Sequence, residues 1–288
     1  MGLIKHLIKK YFQIFWMRDK FSAATQVAMR NLYHFYQLHH HETEKINIHT
    51  AGFSCFSQFE EDGKILFILA VIGVKQGSFV EIGSDDGLNS NCANLALNFG
   101  WHGLFIDGNK RSISRGKYFY NRYPNPYGYK PVFIHSKVTR ENINELIDRH
   151  GLTGEVDLLS LDIDGNDYWI WDALTVIQPR MVIIETHIIY GNRNIVMPYD
   201  ANYSFPGIHP QYHGASPVAM VKLGEKKGYR LVGANQLGFN FIFVRNDLGT
   251  DILKEVSIEE ILNHPSCRND EQAWDPHVLT LPFVTPIA

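Results

Sequence analysis

The chain has 288 residues, 45% of them hydrophobic and 13% aromatic, which suits a packed core and excludes global disorder. Lys and Arg number 27 against 30 Asp and Glu, a formal charge of -3 with a pI of about 6.5, so no nucleic-acid partner held by a broad basic surface is expected. Cys55, Cys92 and Cys267 share no CxxC spacing, which points away from a disulfide framework or a cysteine zinc site and toward a reducing, cytoplasmic setting.

At the N-terminus, Leu3, Ile4, Leu7, Ile8, Tyr11, Ile14 and Phe15 fall at helical spacing, with Lys5, Lys9 and Gln13 opposite. Five basic residues precede position 21 against one acid, Asp19. Such a helix either packs on the rest of the chain or on a second subunit, or touches the inner face of a membrane peripherally through residues 1–20. Packing is the expectation. No run approaches the roughly 20 apolar residues of a membrane span, and the lysines do not suit a secretory signal. A second helix carries Val27, Ala28, Leu32, Phe35 and Leu38 on one face, and the polar stretch from His39 to Thr50 reads as a linker. Residues 1–50 are thus expected to be an N-terminal helical extension.

Beyond Gly52, helices and strands alternate. Helix is expected over 56–73, 91–99, 110–123, 141–150 and 168–174, and strand over 78–82, 103–106, 131–135, 156–161 and 181–184. Residues 188–215 show neither period and read as a lid or substrate loop. Ser216-Pro217 opens another helix closed at Gly228, and 229–232 with 239–245 form an antiparallel hairpin. A capping box at Ser257 starts a short helix in the C-terminal segment 251–288. The pattern predicts an α/β domain over 51–250, with a mostly parallel sheet covered by helices on both faces.

In such sheets ligands bind beyond the C-terminal strand ends, and here those ends are acidic: Glu81 to Gly87, Asp107, Asp162 with Asp164, and Glu185 with His187. The first turn, Gly83-Ser84-Asp85-Asp86-Gly87, lacks the second and third glycines of a dinucleotide fingerprint, and its acids would repel a pyrophosphate. A ligand with hydroxyls and a cationic centre fits better. Asp107 stands where a carboxylate can take two ribose hydroxyls.

The segments Phe79-Val80-Glu81-Ile82-Gly83-Ser84-Asp85-Asp86-Gly87 and Gly103-Leu104-Phe105-Ile106-Asp107-Gly108-Asn109 resemble class I S-adenosylmethionine-dependent methyltransferases. With Ser57-Gln58-Phe59-Glu60-Glu61-Asp62-Gly63, Leu161 to Tyr168 and Tyr212-His213-Gly214-Ala215-Ser216, the chain looks like the FkbM-type branch over about residues 53–246. The resemblance implies a Rossmann-like seven-stranded sheet and methyl transfer to a hydroxyl of a sugar, glycolipid or natural product. It also implies donor-binding roles. Glu81, Gly83 and Gly87 would shape the pocket, Asp107 would hold the ribose, Ser136 would lie near the adenine and Asp162 near the methionine end. Gln58 would close over the donor, and Ser84, Asp85, Asn91, Gly108 and Asn109 complete the implied set.

On the acceptor side two chemistries are open. A hard divalent ion such as Mg²⁺ could sit on Asp162, Asp164 and Glu185 with His187. Alternatively His187, made more basic by an adjacent carboxylate, takes the proton, with His209 or His213 joining it from the loop. The competing reading of the whole chain is a non-catalytic scaffold on the same fold, docking through its N-terminal helices.

Overall fold

The computed structural model describes residues 2–42, 45–123, 130–263, 267 and 275–286. Seven strands make one mostly parallel sheet, and the chain divides into two compact units, Met1–Val138 and Thr139–Ala288. The first holds α1 (Gly2–Trp16), a 3₁₀ turn (Arg18–Phe21), α2 (Ala23–His39), α3 (Glu61–Ile72), β1 (Ser78–Ile82), a π-turn (Leu95–Phe99), β2 (His102–Asp107), α4 (Lys110–Arg122) and β3 (Val132–His135). The second holds α5 (Ile143–Asp148), β4 (Gly154–Leu161), α6 (Asp167–Ala173), β5 (Ile177–Glu185), α7 (Pro217–Lys226), β6 (Tyr229–Ala234), β7 (Asn240–Arg245) and α8 (Ile258–Leu262). The strand order is β3-β2-β1-β4-β5-β7-β6, with β7 antiparallel to both of its neighbours. The expected architecture, with its closing hairpin, is the one observed.

In the first unit every residue of β1 is buried, as a parallel strand covered on both faces requires. Phe79, Phe105 and Phe133 stack across β1, β2 and β3 with ring centroids 4.9 Å apart at each step, and Tyr120 of α4 packs on the last two. α4 lies close to the sheet because Gly116 has no side chain. A Cβ there would fall 2.2 Å from the Phe133 ring and 2.6 Å from the Asp86 carbonyl.

α3 starts five residues later than its periodicity suggests. The Asp62 carboxylate accepts the backbone N–H groups of Cys55, Phe56 and Ser57 at 2.7, 2.6 and 2.8 Å, which holds that stretch as a loop. The expected helix at 91–99 is largely a π-turn. α1 docks on α4, with Lys10 donating to Ser114 Oγ at 3.0 Å and Tyr11 edge-on to Tyr118 at 5.1 Å. The side turned inward is not the apolar one: Leu7, Ile8, Phe12, Phe15 and Trp16 are all exposed. That departs from the expectation of an apolar packing face.

In the second unit Trp171 of α6 is buried against Phe243 and Tyr229. Ser216 caps α7 by accepting Ala219 N–H, and the Ser257–Glu260 capping box is present. The 188–215 loop is packed on itself and on the tail. Tyr190, Met197, Tyr212 and Val278 form a buried cluster with Phe283, and Val196 bridges both Ala215 and Val284. Two of the loop's tyrosines therefore serve its own core. Among the described residues no helix is long and apolar enough to cross a membrane.

Candidate functional site

The turn after β1 needs left-handed backbone at three positions, Gly83 (φ 86), Asp85 (φ 46) and Gly87 (φ 67). Glycine reaches that region without strain, whereas Asp85 needs local support. Its N–H donates to Asp107 Oδ2 at 2.8 Å, and the Asn109 N–H donates to Asp107 Oδ1 at 2.6 Å. Asp107 is thereby aimed by two backbone donors from two loops, with each oxygen keeping a free lone-pair direction. Burial raises its pKa, and the two N–H groups pull it back.

The acidity of this turn is answered inside the chain. Arg115 of α4 reaches Asp85 at 3.1 Å and Asp86 at 3.0 Å, and Gln13 of α1 also donates to Asp86 at 3.3 Å. Asp85 is therefore no uncompensated repulsive charge, a correction to the sequence reading. Arg115 lies 30 residues further on, where a basic helix residue reads as a solvated one.

Glu81 is held by donors from within the chain. Its buried carboxylate accepts Ser90 Oγ at 2.5 Å and the N–H groups of Asn91 and Cys92 at 3.0 Å each. Burial lifts it to about 7 against those donors. It organises the loop that carries Asn91. Among the described residues, the buried Ser84 Oγ has no hydrogen-bond partner, and a side chain at Gly108 would meet nothing within 4 Å. Asn109 caps α4 by accepting Arg111 and Ser112 N–H. Ser136 donates its N–H to the Asp107 carbonyl at 3.0 Å, which sets it next to β2, and Gln58 is exposed.

In the second unit, Asp162, Asp164 and Glu185 each place one carboxylate oxygen within 4.8 Å of the others. Two features make that crowding possible. Asp164 takes a left-handed backbone (φ 55), and the fully buried Asp167 accepts the Ile163 and Gly165 N–H groups at 2.8 Å each. Burial lifts Asp167 to about 6, and burial with the neighbouring carboxylates raises Glu185 well above the usual range. Among the described residues, neither the buried Oε2 atom of Glu185 nor Tyr203 Oη has a hydrogen-bond partner. Tyr203, pushed up to about 12 by burial and by these acids, packs over Gly165, where a Cβ would come within 2.2 Å of its ring. Asp167 and Tyr203 escape a reading of strand ends, since one opens a helix and the other lies in an aperiodic loop.

His187 is outside that carboxylate group. Its Nε2–H donates to the Gln211 carbonyl at 2.9 Å, and its ring lies 4.1 Å from that of His213. Burial, together with His213, lowers it to about 3. The expected basicity-raising carboxylate is thus a carbonyl. His213 is also lowered by burial, and its buried Nδ1 has no hydrogen-bond partner among the described residues. His209 sets Nε2 3.5 Å from Asp275, and its Nδ1 accepts the Gln211 N–H at 3.1 Å.

No family profile and no curated protein sequence matches the chain. Among solved structures, a SAM-dependent methyltransferase from Methanosarcina mazei is similar over 58% of this chain and 92% of its own, at 12% identity and a TM-score of 0.37. A cyclopropane synthase from Mycobacterium tuberculosis is similar over 75% of this chain and 76% of its own, at 16% identity and a TM-score of 0.40.

Proposed function

We propose that the chain is an S-adenosylmethionine-dependent methyltransferase acting on a hydroxyl of a sugar, glycan, glycolipid or natural product. The observation that carries this reading is Asp107: a strand-end carboxylate clamped by Asp85 and Asn109 N–H groups, poised to accept from a vicinal diol such as a ribose. The motif resemblance around it supports the same donor. The residues fit that donor, since Ser84 offers a buried hydroxyl lacking a partner and Gly108 leaves open space. When bound, S-adenosylmethionine supplies a methyl group on a cationic sulfonium. The chain's part is to hold donor and acceptor in line and to remove the acceptor's proton.

For proton removal the carboxylates are favoured over histidine alone. With Nε2–H fixed on Gln211, His187 can accept only at Nδ1, and a pKa near 3 makes that a weak base. Asp162, Asp164 and Glu185, with Glu185 Oε2 unpartnered, form a donor set suited to Mg²⁺ or another hard divalent ion. Such an ion would lower the acceptor hydroxyl's pKa so that a carboxylate of this set could take the proton, and His187 and His213 would then orient the acceptor.

Two measurements test this reading. Calorimetry should show S-adenosylmethionine binding, and release of S-adenosylhomocysteine should follow on offering nucleotide sugars or glycolipids. Donor binding without turnover on any hydroxylated extract would favour the scaffold reading; no donor binding would refute the methyltransferase reading. Activity that survives EDTA in full removes the ion from the scheme.

A further inference from the structure

The exposed side of α1 is an apolar band. Ile4, Leu7, Ile8, Tyr11, Phe12, Phe15 and Trp16 cover about half the helix circumference at 100° per residue, and Phe15 and Trp16 are 69% and 64% exposed. His6, Lys10, Gln13, Ile14 and Met17 fill the opposite, half-buried side. A soluble surface helix has the reverse arrangement. Cations border the band. Lys5 and Lys9 are exposed along one margin and make no ion pair among the described residues. At the other end, Arg18 and Arg122 rim a groove of about 540 Å³ with an apolar floor of Ile14, Phe15 and Phe21.

We propose that α1 is a peripheral anchor, seated in the headgroup region of an anionic lipid bilayer, with Lys5, Lys9, Arg18 and Arg122 taking the lipid phosphates. α1 and the 3₁₀ turn carry five Lys and Arg against one acid, Asp19, in a chain whose formal charge is -3, and Arg122 of α4 lies beside them. The charge is thus concentrated where the apolar residues are. A second copy meeting this face about a two-fold axis would set cation against cation, because such an interface joins a patch to itself. A negative, apolar-cored surface complements both features, and Trp16 and Tyr11 suit the headgroup level. The inference stands apart from the proposed reaction, since it uses no residue assigned to the donor or the acceptor.

Vesicle sedimentation of the full chain tests it. Partition onto phosphatidylglycerol–phosphatidylcholine vesicles should exceed that onto phosphatidylcholine alone by about tenfold or more, and fall as salt rises from about 0.1 to 0.5 M. The triple variants Phe12→Ser/Phe15→Ser/Trp16→Ser and Lys5→Glu/Lys9→Glu/Arg18→Glu should each lose about tenfold in partition with unchanged circular dichroism. A blue shift of tryptophan emission on vesicle addition, absent in Trp16→Phe, should accompany binding in the otherwise unaltered chain. Equal recovery in the supernatant with both vesicle types overturns the proposal. So does a dimer by light scattering that the apolar triple variant dissolves while vesicles bind nothing.

Discussion

Asp85 and Asp86 sit side by side in the turn after β1, one half-exposed and one buried, and a single guanidinium reaches both. Replacing Arg115 by Met keeps most of the volume but leaves the buried Asp86 without its cation. Breaking a largely buried pair in this way costs about 3 kcal/mol, which urea unfolding of Arg115→Met should show as a lowered midpoint. A midpoint within error of the parent would mean the turn relaxes and solvates both acids. Asp107 is the more specific probe of donor binding. Asp107→Ala removes an ionised acceptor worth about 1.5–3 kcal/mol, so calorimetry should find donor affinity reduced by roughly 10- to 150-fold. Asp107→Asn keeps an acceptor for one backbone N–H and should lie between the two. Unchanged affinity in both variants would remove Asp107 from the donor's partners.

Among the elements, α4 depends on a missing side chain. Gly116→Ala would drive a methyl into Phe133 and the Asp86 carbonyl, and overpacking of this kind costs about 1–3 kcal/mol by thermal or urea unfolding. No destabilisation would show that α4 can slide off β3 without loss. Here the division between what a sequence reveals and what it hides becomes plain. Strands such as Ser78–Ile82 announce themselves as short, largely apolar runs with an acid at or beside their C-terminal end, and Ser216-Pro217 marks α7 unambiguously, because these signals are local. The start of α3 does not, since Asp62 reaches back over seven residues to claim three N–H groups that a helix would otherwise order. Arg115, Asp167 and Tyr203 were equally hidden. Each acts on partners brought near by the fold, and none stands at a strand end. The environment of His187 was misjudged for the same reason: a main-chain carbonyl from Gln211 has no signature in residue type.

For the molecule as a whole, the buried acids tie stability to pH. Glu81 has a folded pKa of about 7 against an ordinary 4.5, so the folded state holds its proton more tightly than the unfolded chain. Its contribution is complete below about pH 4.5 and is lost as pH rises through about 7, a change of at most about 3 kcal/mol. Asp167, lifted from 3.8 to about 6, acts in the same direction over a slightly lower range. Thermal midpoints measured from pH 5 to 8 should therefore decline less steeply in Glu81→Gln than in the parent; identical slopes would show that Glu81 is ionised and satisfied throughout. The tail has a consequence of another kind. Tyr212 donates to the Pro282 carbonyl 70 residues further on, and Val284 pairs with Val196. A ribosome delivers residues in order, at about 5–20 per second, so the 188–215 segment leaves the exit tunnel several seconds before the strand that staples it exists. Throughout that interval Tyr190 and Tyr212 have no Phe283 to pack against, and a nascent chain arrested near residue 275 should be cut by protease within this segment while the finished chain resists.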